Sequence, residues 1–202
     1  MKSTYRTIER SGEGIYKEKG SKFLAFAFPV YQLIEVKLHL DELKKKHYNA
    51  KHHCYAYRLG IDKNIFKVND DAEPANTAGK HIFGQIESND LTNILIIVVR
   101  YFGGTLLGKG GLIKAYRTAA YEAINNTRIV IKEINDVYQI SFAYNDMKYV
   151  MRILKEEKVS IINKSFEVNS RIKFRIKQCL ASSIVERLKR LETVKIEYLY
   201  TE

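Results

Sequence analysis

The sequence predicts an α+β protein made of two small domains, residues 1–134 and 135–202. Three observations carry this expectation. Residues 135–202 show strand and helix patterns in the order βαββαβ. The first 134 residues mix the same elements around one unbroken apolar run, Ile94–Val99. The composition over 202 residues, 46% hydrophobic and 28% charged, lies in the globular range and excludes a disordered chain.

The second half is the more regular. Val137–Tyr144 alternates as a strand, with Tyr138, Ile140, Phe142 and Tyr144 on one side. Asn145–Glu157 carries Met147, Val150, Met151 and Leu154 at helical spacing. Two strands, Val159–Val168 and Arg171–Lys177, are expected to join at an Asn169-Ser170 turn. Cys179–Leu191 reads as a helix and Val194–Tyr200 as a last strand. That order is the ferredoxin-like split unit.

In the first half, Lys22–Val30 reads as a strand. Gln32–Tyr48 reads as a helix with Leu33, Val36, Leu40 and Leu43 along one stripe. His53–Leu59 alternates, placing Tyr55, Tyr57 and Leu59 on one face. Thr77 stands where it would cap a short helix bearing Ile82, Phe83 and Ile86. Ile94–Val99 is expected to be a central strand covered on both faces, followed by an alanine-rich helix over Leu112–Ile124. Asn125–Asp136 is the expected boundary.

Charge supplies the first functional hint. The net charge is +11 with 34 Lys and Arg, divided as +7 over residues 1–134 and +4 over the rest. Such an excess fits nucleic acid, anionic lipid or an acidic partner. Cys54 and Cys179 form no CxxC pair, so neither a disulfide scaffold nor a cysteine zinc site is expected. The polar N-terminus and the absence of a long apolar window point to a soluble, cytoplasmic protein with no membrane partner.

The segment Arg100–Gly111 carries five glycines between a buried strand and a helix. Gly103, Gly104, Gly108, Gly110 and Gly111 let the backbone approach a ligand and aim N–H groups at an anion. Arg100, Lys109, Lys114 and Arg117 surround them, with no acid between 100 and 117. The alternative is a tight strand–helix connection that needs glycine for packing. Gly103–Lys109 also fits G-x-x-x-x-G-K, but Gly110 stands where a phosphate-binding loop needs Ser or Thr, which argues against nucleotide hydrolysis.

A second cluster holds Asp70, Asp71 and Glu73 within four residues. These acids either serve a cation or acid–base chemistry, or they cap the next helix and pair with nearby cations. His52 and His53 are adjacent on a strand and so point to opposite faces, which disfavours a shared metal. No metal set and no cofactor motif is expected.

A third feature is Arg171, Lys173, Arg175 and Lys177, alternating with Ile172, Phe174 and Ile176. Period two puts all four cations on one strand face, spaced about 6.6–6.8 Å apart. The stripe either neutralises phosphates or is simply the solvated side of a sheet.

Two of these segments together resemble a known family. The motif Asp70-Asp71-x-Glu73-Pro74-x-x-Thr77-Ala78-Gly79-Lys80 is followed by Val99-Arg100-Tyr101-Phe102-Gly103-Gly104-x-x-Leu107-Gly108-x-Gly110-Gly111-Leu112-x-x-Ala115-Tyr116. With His53–Arg58 and Gly20–Phe23, they are similar to the IMPACT/YigZ family over roughly residues 16–124. Ala72 stands where the family usually has glycine. The resemblance implies an N-terminal domain similar to elongation factor G domain IV and to a small-subunit ribosomal protein domain. It likens the C-terminal domain to the last domain of that factor. It also implies translation-linked or RNA-binding work, with RNA, the ribosome or a protein as partner, and it carries no catalytic residue across. The leading expectation is therefore an RNA- or ribosome-associated binding protein rather than an enzyme. The alternative is a small enzyme acting on an anionic or phosphorylated metabolite with Asp71 or Glu73.

Overall fold

The computed structural model describes residues 3–166 and 169–202, with mixed α and β structure throughout. The chain divides into two compact units: Tyr5–Lys132, and Glu133–Glu202 joined by the residues up to Thr4. Ser3 belongs with the second unit because its carbonyl accepts the Ile134 N–H.

The larger unit is built on a five-stranded antiparallel sheet. Its strands are β2 (Gly12–Glu18), β3 (Ser21–Pro29), β4 (His52–Leu59), β5 (Ile65–Asn69) and β6 (Ile94–Tyr101), in the spatial order β2-β3-β6-β4-β5. Helix α1 (Leu33–Lys46) covers one face; α2 (Gly79–Ser88) and α3 (Gly108–Asn125) cover the other. Strand β6 explains its own sequence. Ile94, Ile96 and Val98 point into the core under α2 and α3, while Leu95, Ile97 and Val99 point into the core under α1. Each such side chain contributes roughly 1.5–3 kcal/mol on burial, and both faces demand it, so the run is unbroken.

Helix α3 is alanine-rich for a related reason. Ala115, Ala119, Ala120 and Ala123 are fully buried. Opposite them β2 presents Gly12 and Gly14, where a Cβ on Gly14 would lie 2.6 Å from the Ala119 carbonyl oxygen. Small residues on both sides let helix and strand backbones meet directly. Strands β1 (Thr4–Ile8) and β7 (Ile129–Glu133) form a separate two-stranded sheet, so the stretch expected to be a boundary contains a strand.

The smaller unit has β8 (Asn135–Ala143), α4 (Met147–Glu156), β9 (Ser160–Ser165), β10 (Asn169–Lys177), α5 (Gln178–Lys189) and β11 (Lys195–Thr201). Its antiparallel sheet runs β11-β8-β10-β9, and one face packs on α4 and α5 through Ile140, Phe142, Val150, Leu154, Ile172, Phe174, Ile184 and Leu188.

Three expectations are corrected. Asn169 and Ser170 are not a turn: they open β10, opposite Ala143 and Phe142 of β8, because the ladder continues to the end of that strand. Val168, expected to end the preceding strand, lies outside the described residues. Leu33 leaves the buried stripe of α1, being 56% exposed at the first helical position. Thr77 does not cap α2; its hydroxyl donates to the Pro74 carbonyl.

Candidate nucleic-acid interface

The cap of α2 comes from further back. Asp70 accepts the N–H groups of Ala78 and Gly79 on one carboxylate oxygen, at 3.0 and 2.8 Å, and that of Asn76 on the other. A carboxylate at this end also meets the positive end of the helix dipole. Asp71 accepts the His53 N–H at 2.6 Å. Between these anchors the loop runs through left-handed backbone at Asp71, Ala72 and Asn76, with Ala72 at φ 64. Such a conformation suits glycine and costs alanine energy.

Glu73 follows, and the loop buries it. Its Oε1 accepts from Arg100 Nη1 at 2.6 Å and from the Tyr116 hydroxyl at 2.8 Å. The Glu73 and Arg100 side chains are 3% and 7% exposed. The Arg100 guanidinium lies 5.4 Å from the Phe23 ring centroid and 5.6 Å from that of Phe102. Tyr116 Oη is also 3.3 Å from the Cys54 thiol. Burial pushes both the thiol and the phenol well above their usual ranges, so each stays protonated and acts as a hydrogen-bond donor. The two acidic-motif and glycine-motif segments thus meet through an ion pair and a tyrosine.

The two histidines point to opposite faces of β4. His53 turns toward α1, is buried, and has its pKa lowered chiefly by that burial, against the opposing pull of Asp71. Its unfolded value is about 6.5, so the unfolded chain binds the proton more readily. Stability is therefore expected to fall as pH drops below about 6.5. Denaturation midpoints at pH 7.5 and 5.5 check this, and His53→Gln is expected to flatten the difference.

His52 faces the other way. Its Nδ1 lies 2.8 Å from the Asp71 carbonyl oxygen. A carbonyl only accepts, so Nδ1 carries the hydrogen of this bond. His52 pairs with Arg100 across the β4–β6 ladder, which brings its Nε2 to 3.9 Å from Glu73 Oε1.

These groups line a cleft of about 460 Å³ with Lys51, Pro74, Phe102, Leu106, Leu107, Gly108, Lys109 and Leu112. The glycines of this wall divide by role. Gly103 is a packing device: its backbone lies against Gly20 and Ser21, and its N–H donates to Ser21 Oγ at 3.1 Å. Gly104 and Gly108 have left-handed φ of 87 and 68. Gly108 starts α3, four residues before the expected helix, so Lys109, Gly110 and Gly111 lie in its first turn. That turn has no side-chain cap and no acid. Its N–H groups therefore have no side-chain acceptor among the described residues.

Of the predicted cations, Arg100 and Lys109 line the cleft, whereas Lys114 and Arg117 are exposed further along α3 and are not among its lining residues. Lys51, His52 and Phe102 line it without having been expected there. Phe102 belongs to the glycine-rich segment itself, whereas Lys51 and His52 reach the cleft through the β4–β6 pairing, which a single sequence does not display. Among the acids only Glu73 reaches the cleft.

In the smaller unit, Arg171, Lys173, Arg175 and Lys177 alternate with the buried Ile172, Phe174 and Ile176. They sit on an inner strand, opposite the uncharged Ser141, Gln139, Val137 and Asn135 of β8. Two are paired: Arg175 with Glu202 at 3.0 Å and Lys177 with Glu133 at 2.6 Å. Lys173 lies 5.1 Å from the centroid of the Tyr200 ring.

Residues 19–124 match the Impact N-terminal domain. The chain is 33% identical over 156 residues to the IMPACT family member YvyE of Bacillus subtilis, covering 77% of this chain and 72% of that protein. It is also 33% identical over 134 residues to the Protein IMPACT homolog of Dictyostelium discoideum, covering 63% of this chain and 36% of that one. A crystal structure of a hypothetical protein superposes with TM-score 0.74 at 23% identity, covering 99% of both chains.

Proposed function

Since the chain belongs to the IMPACT family, we propose that it is an RNA- or ribosome-associated binding protein that works in the regulation of translation. One observation carries the reading. The uncapped first turn of α3 opens on a cleft that also presents Lys51, Lys109 and the half-exposed ring of Phe102. Amide donors and lysines suit a phosphate, and the ring suits a stacked base. The strand face of β10 offers a second contact through Arg171 and Lys173, the two stripe cations without an acidic partner among the described residues. The order β11-β8-β10-β9 supports reading the smaller unit as ferredoxin-like. The likeness of the larger unit to elongation factor G domain IV rests on the family resemblance.

The enzyme reading is weaker on the same geometry. Asp70 caps a helix, Asp71 holds the His53 amide, and Glu73 is tied to Arg100. No carboxylate of the motif is left free for acid–base work.

Anisotropy titration with a single-stranded RNA across a salt series tests the proposal. Binding is expected to weaken steeply with salt. Lys51→Ala with Lys109→Ala is expected to lower affinity about tenfold or more and to reduce the salt slope by roughly two, about one for each lost phosphate contact. Arg171→Ala with Lys173→Ala tests the second face in the same way. Absence of RNA binding at low salt, or unchanged binding by both double variants, overturns it.

A further inference from the structure

We propose that the free edge of β5 is a docking strand for an extended segment of a partner protein, one that alternates apolar with acidic residues. This goes beyond the RNA reading and uses a different part of the larger unit.

Strand β5 ends its sheet and pairs only with β4. Among the described residues, nothing else hydrogen-bonds the backbone of Ile65–Val68. The opposite edge strand, β2, is treated differently: Asn126 donates from Nδ2 to its Glu13 carbonyl at 2.8 Å. The side chains of β5 are equally uncovered, with Ile65, Phe66 and Val68 50%, 57% and 42% exposed. Unpaired amides and carbonyls flanked by apolar side chains form a template for one more strand. Main-chain bonds then supply affinity, and alternate side chains supply specificity.

The two faces of β5 ask for different side chains. On one face Phe66 stacks on Phe83 of α2, with ring centroids 5.1 Å apart, and Val68 follows by alternation. On the other, Lys67 lines a groove of about 320 Å³ between the β4–β5 pair and α1. Tyr55 and Tyr57 line it from β4, and Lys37 and Lys44 from α1. None of these three lysines has an acidic partner among the described residues. Asp41 and Asp71 share the groove, but Asp71 already accepts the His53 N–H. The groove therefore favours added negative charge.

Lys67 also selects against a second copy of the chain. Antiparallel self-pairing of Ile65–Asn69 in full register sets Lys67 directly against Lys67, and like charges so placed are destabilising. The strand that fits turns acidic residues toward α1 and apolar residues toward α2.

The experiment uses the full chain and two short labelled peptides, one alternating Val with Glu and one alternating Val with Lys. Anisotropy is expected to show the Val–Glu peptide bound about tenfold or more tighter. Lys67→Glu, at an exposed position, is expected to narrow that ratio to about threefold or less. Backbone pairing is tested apart from charge by N-methylating the Val–Glu peptide either on every Val or on every Glu. A strand pairs along one edge through alternate N–H groups, and a one-residue slip would turn its acids to the wrong face. One methylated form is therefore expected to bind and the other to lose about tenfold or more. No binding of either peptide, equal binding of both, or equal effects of the two methylation patterns overturns the proposal. So does a dimer that Phe66→Glu dissolves, since the edge then takes a second copy. Single-stranded RNA bound where no peptide binds, and weakened by Lys67→Glu, gives the groove to RNA and overturns it too. RNA binding at the cleft beside α3 is read separately, through Lys51 and Lys109.

Discussion

Glu73→Ala is expected to be the most destabilising single change in the larger unit, at about 3–5 kcal/mol, because it leaves a buried guanidinium without its counter-charge. Arg100 sits in β6, walled by Phe23 and Phe102, with its Nε already lacking a partner among the described residues. The same change removes the acceptor of the Tyr116 hydroxyl. Urea unfolding followed by tyrosine fluorescence measures the loss; the chain has 14 tyrosines and no tryptophan. Replacing both charges, Glu73→Leu with Arg100→Met, is expected to recover most of the stability, since an apolar pair of similar size avoids the desolvation cost. A loss under about 1 kcal/mol for Glu73→Ala would show that water already screens the pair.

The second large effect is at Gly103. A Cβ there would overlap the backbone of Gly20 and Ser21, and backbone atoms of a paired hairpin cannot step aside as a side-chain end can. Gly103→Ala is expected to cost about 3 kcal/mol or more, at the upper end of overpacking effects. Gly110→Ala is the matched control. Its Cβ would meet nothing within 4 Å, and Gly110 is not among the positive-φ glycines. In the first turn of α3 the alanine is expected to be neutral or to stabilise by up to about 1 kcal/mol. Thermal melting of both variants checks the contrast. Equal loss at the two positions would mean that the loop is held by glycine flexibility in general, not by the close approach at Gly103.

The elements that were legible are those whose pattern answers to burial alone. Ile94–Val99 is apolar at every position because two cores need it. The stripe Val36, Leu40, Leu43 and the alternation of Ile172, Phe174 and Ile176 follow from one-sided cores. The missed strands obey other demands. Strand β2 reads GEGIYKE, and the two glycines that admit α3 weaken its strand signal, leaving only Ile15 and Tyr16 to carry it. Strand β5 lies at a sheet edge with Ile65, Phe66 and Val68 exposed, so no polar–apolar alternation marks it.

The site was legible by composition but not by partner. The glycines and cations of 100–111 marked that segment as either an anion surface or a packing device. That Arg100 is matched by Glu73, 27 positions away, depends on the pairing of β4 with β6 and on the loop between β5 and α2. Local rules also misplaced the α2 cap. They look to the residue just before a helix, whereas Asp70 reaches across eight positions through a left-handed turn.

The place of β6 in the sheet has a consequence for assembly. Strands β3 and β4 do not touch each other; each pairs with β6, which follows both in the chain. Until residues 94–101 are available, the larger unit has only two separate hairpins, β2–β3 and β4–β5, each marginal by itself in water. Joining them creates the sheet, both cores and the Arg100–Glu73 pair together. Association of these sequence-distant segments sets the pace of folding, and before it the inner edges of β3 and β4 are the surfaces most exposed to mispairing.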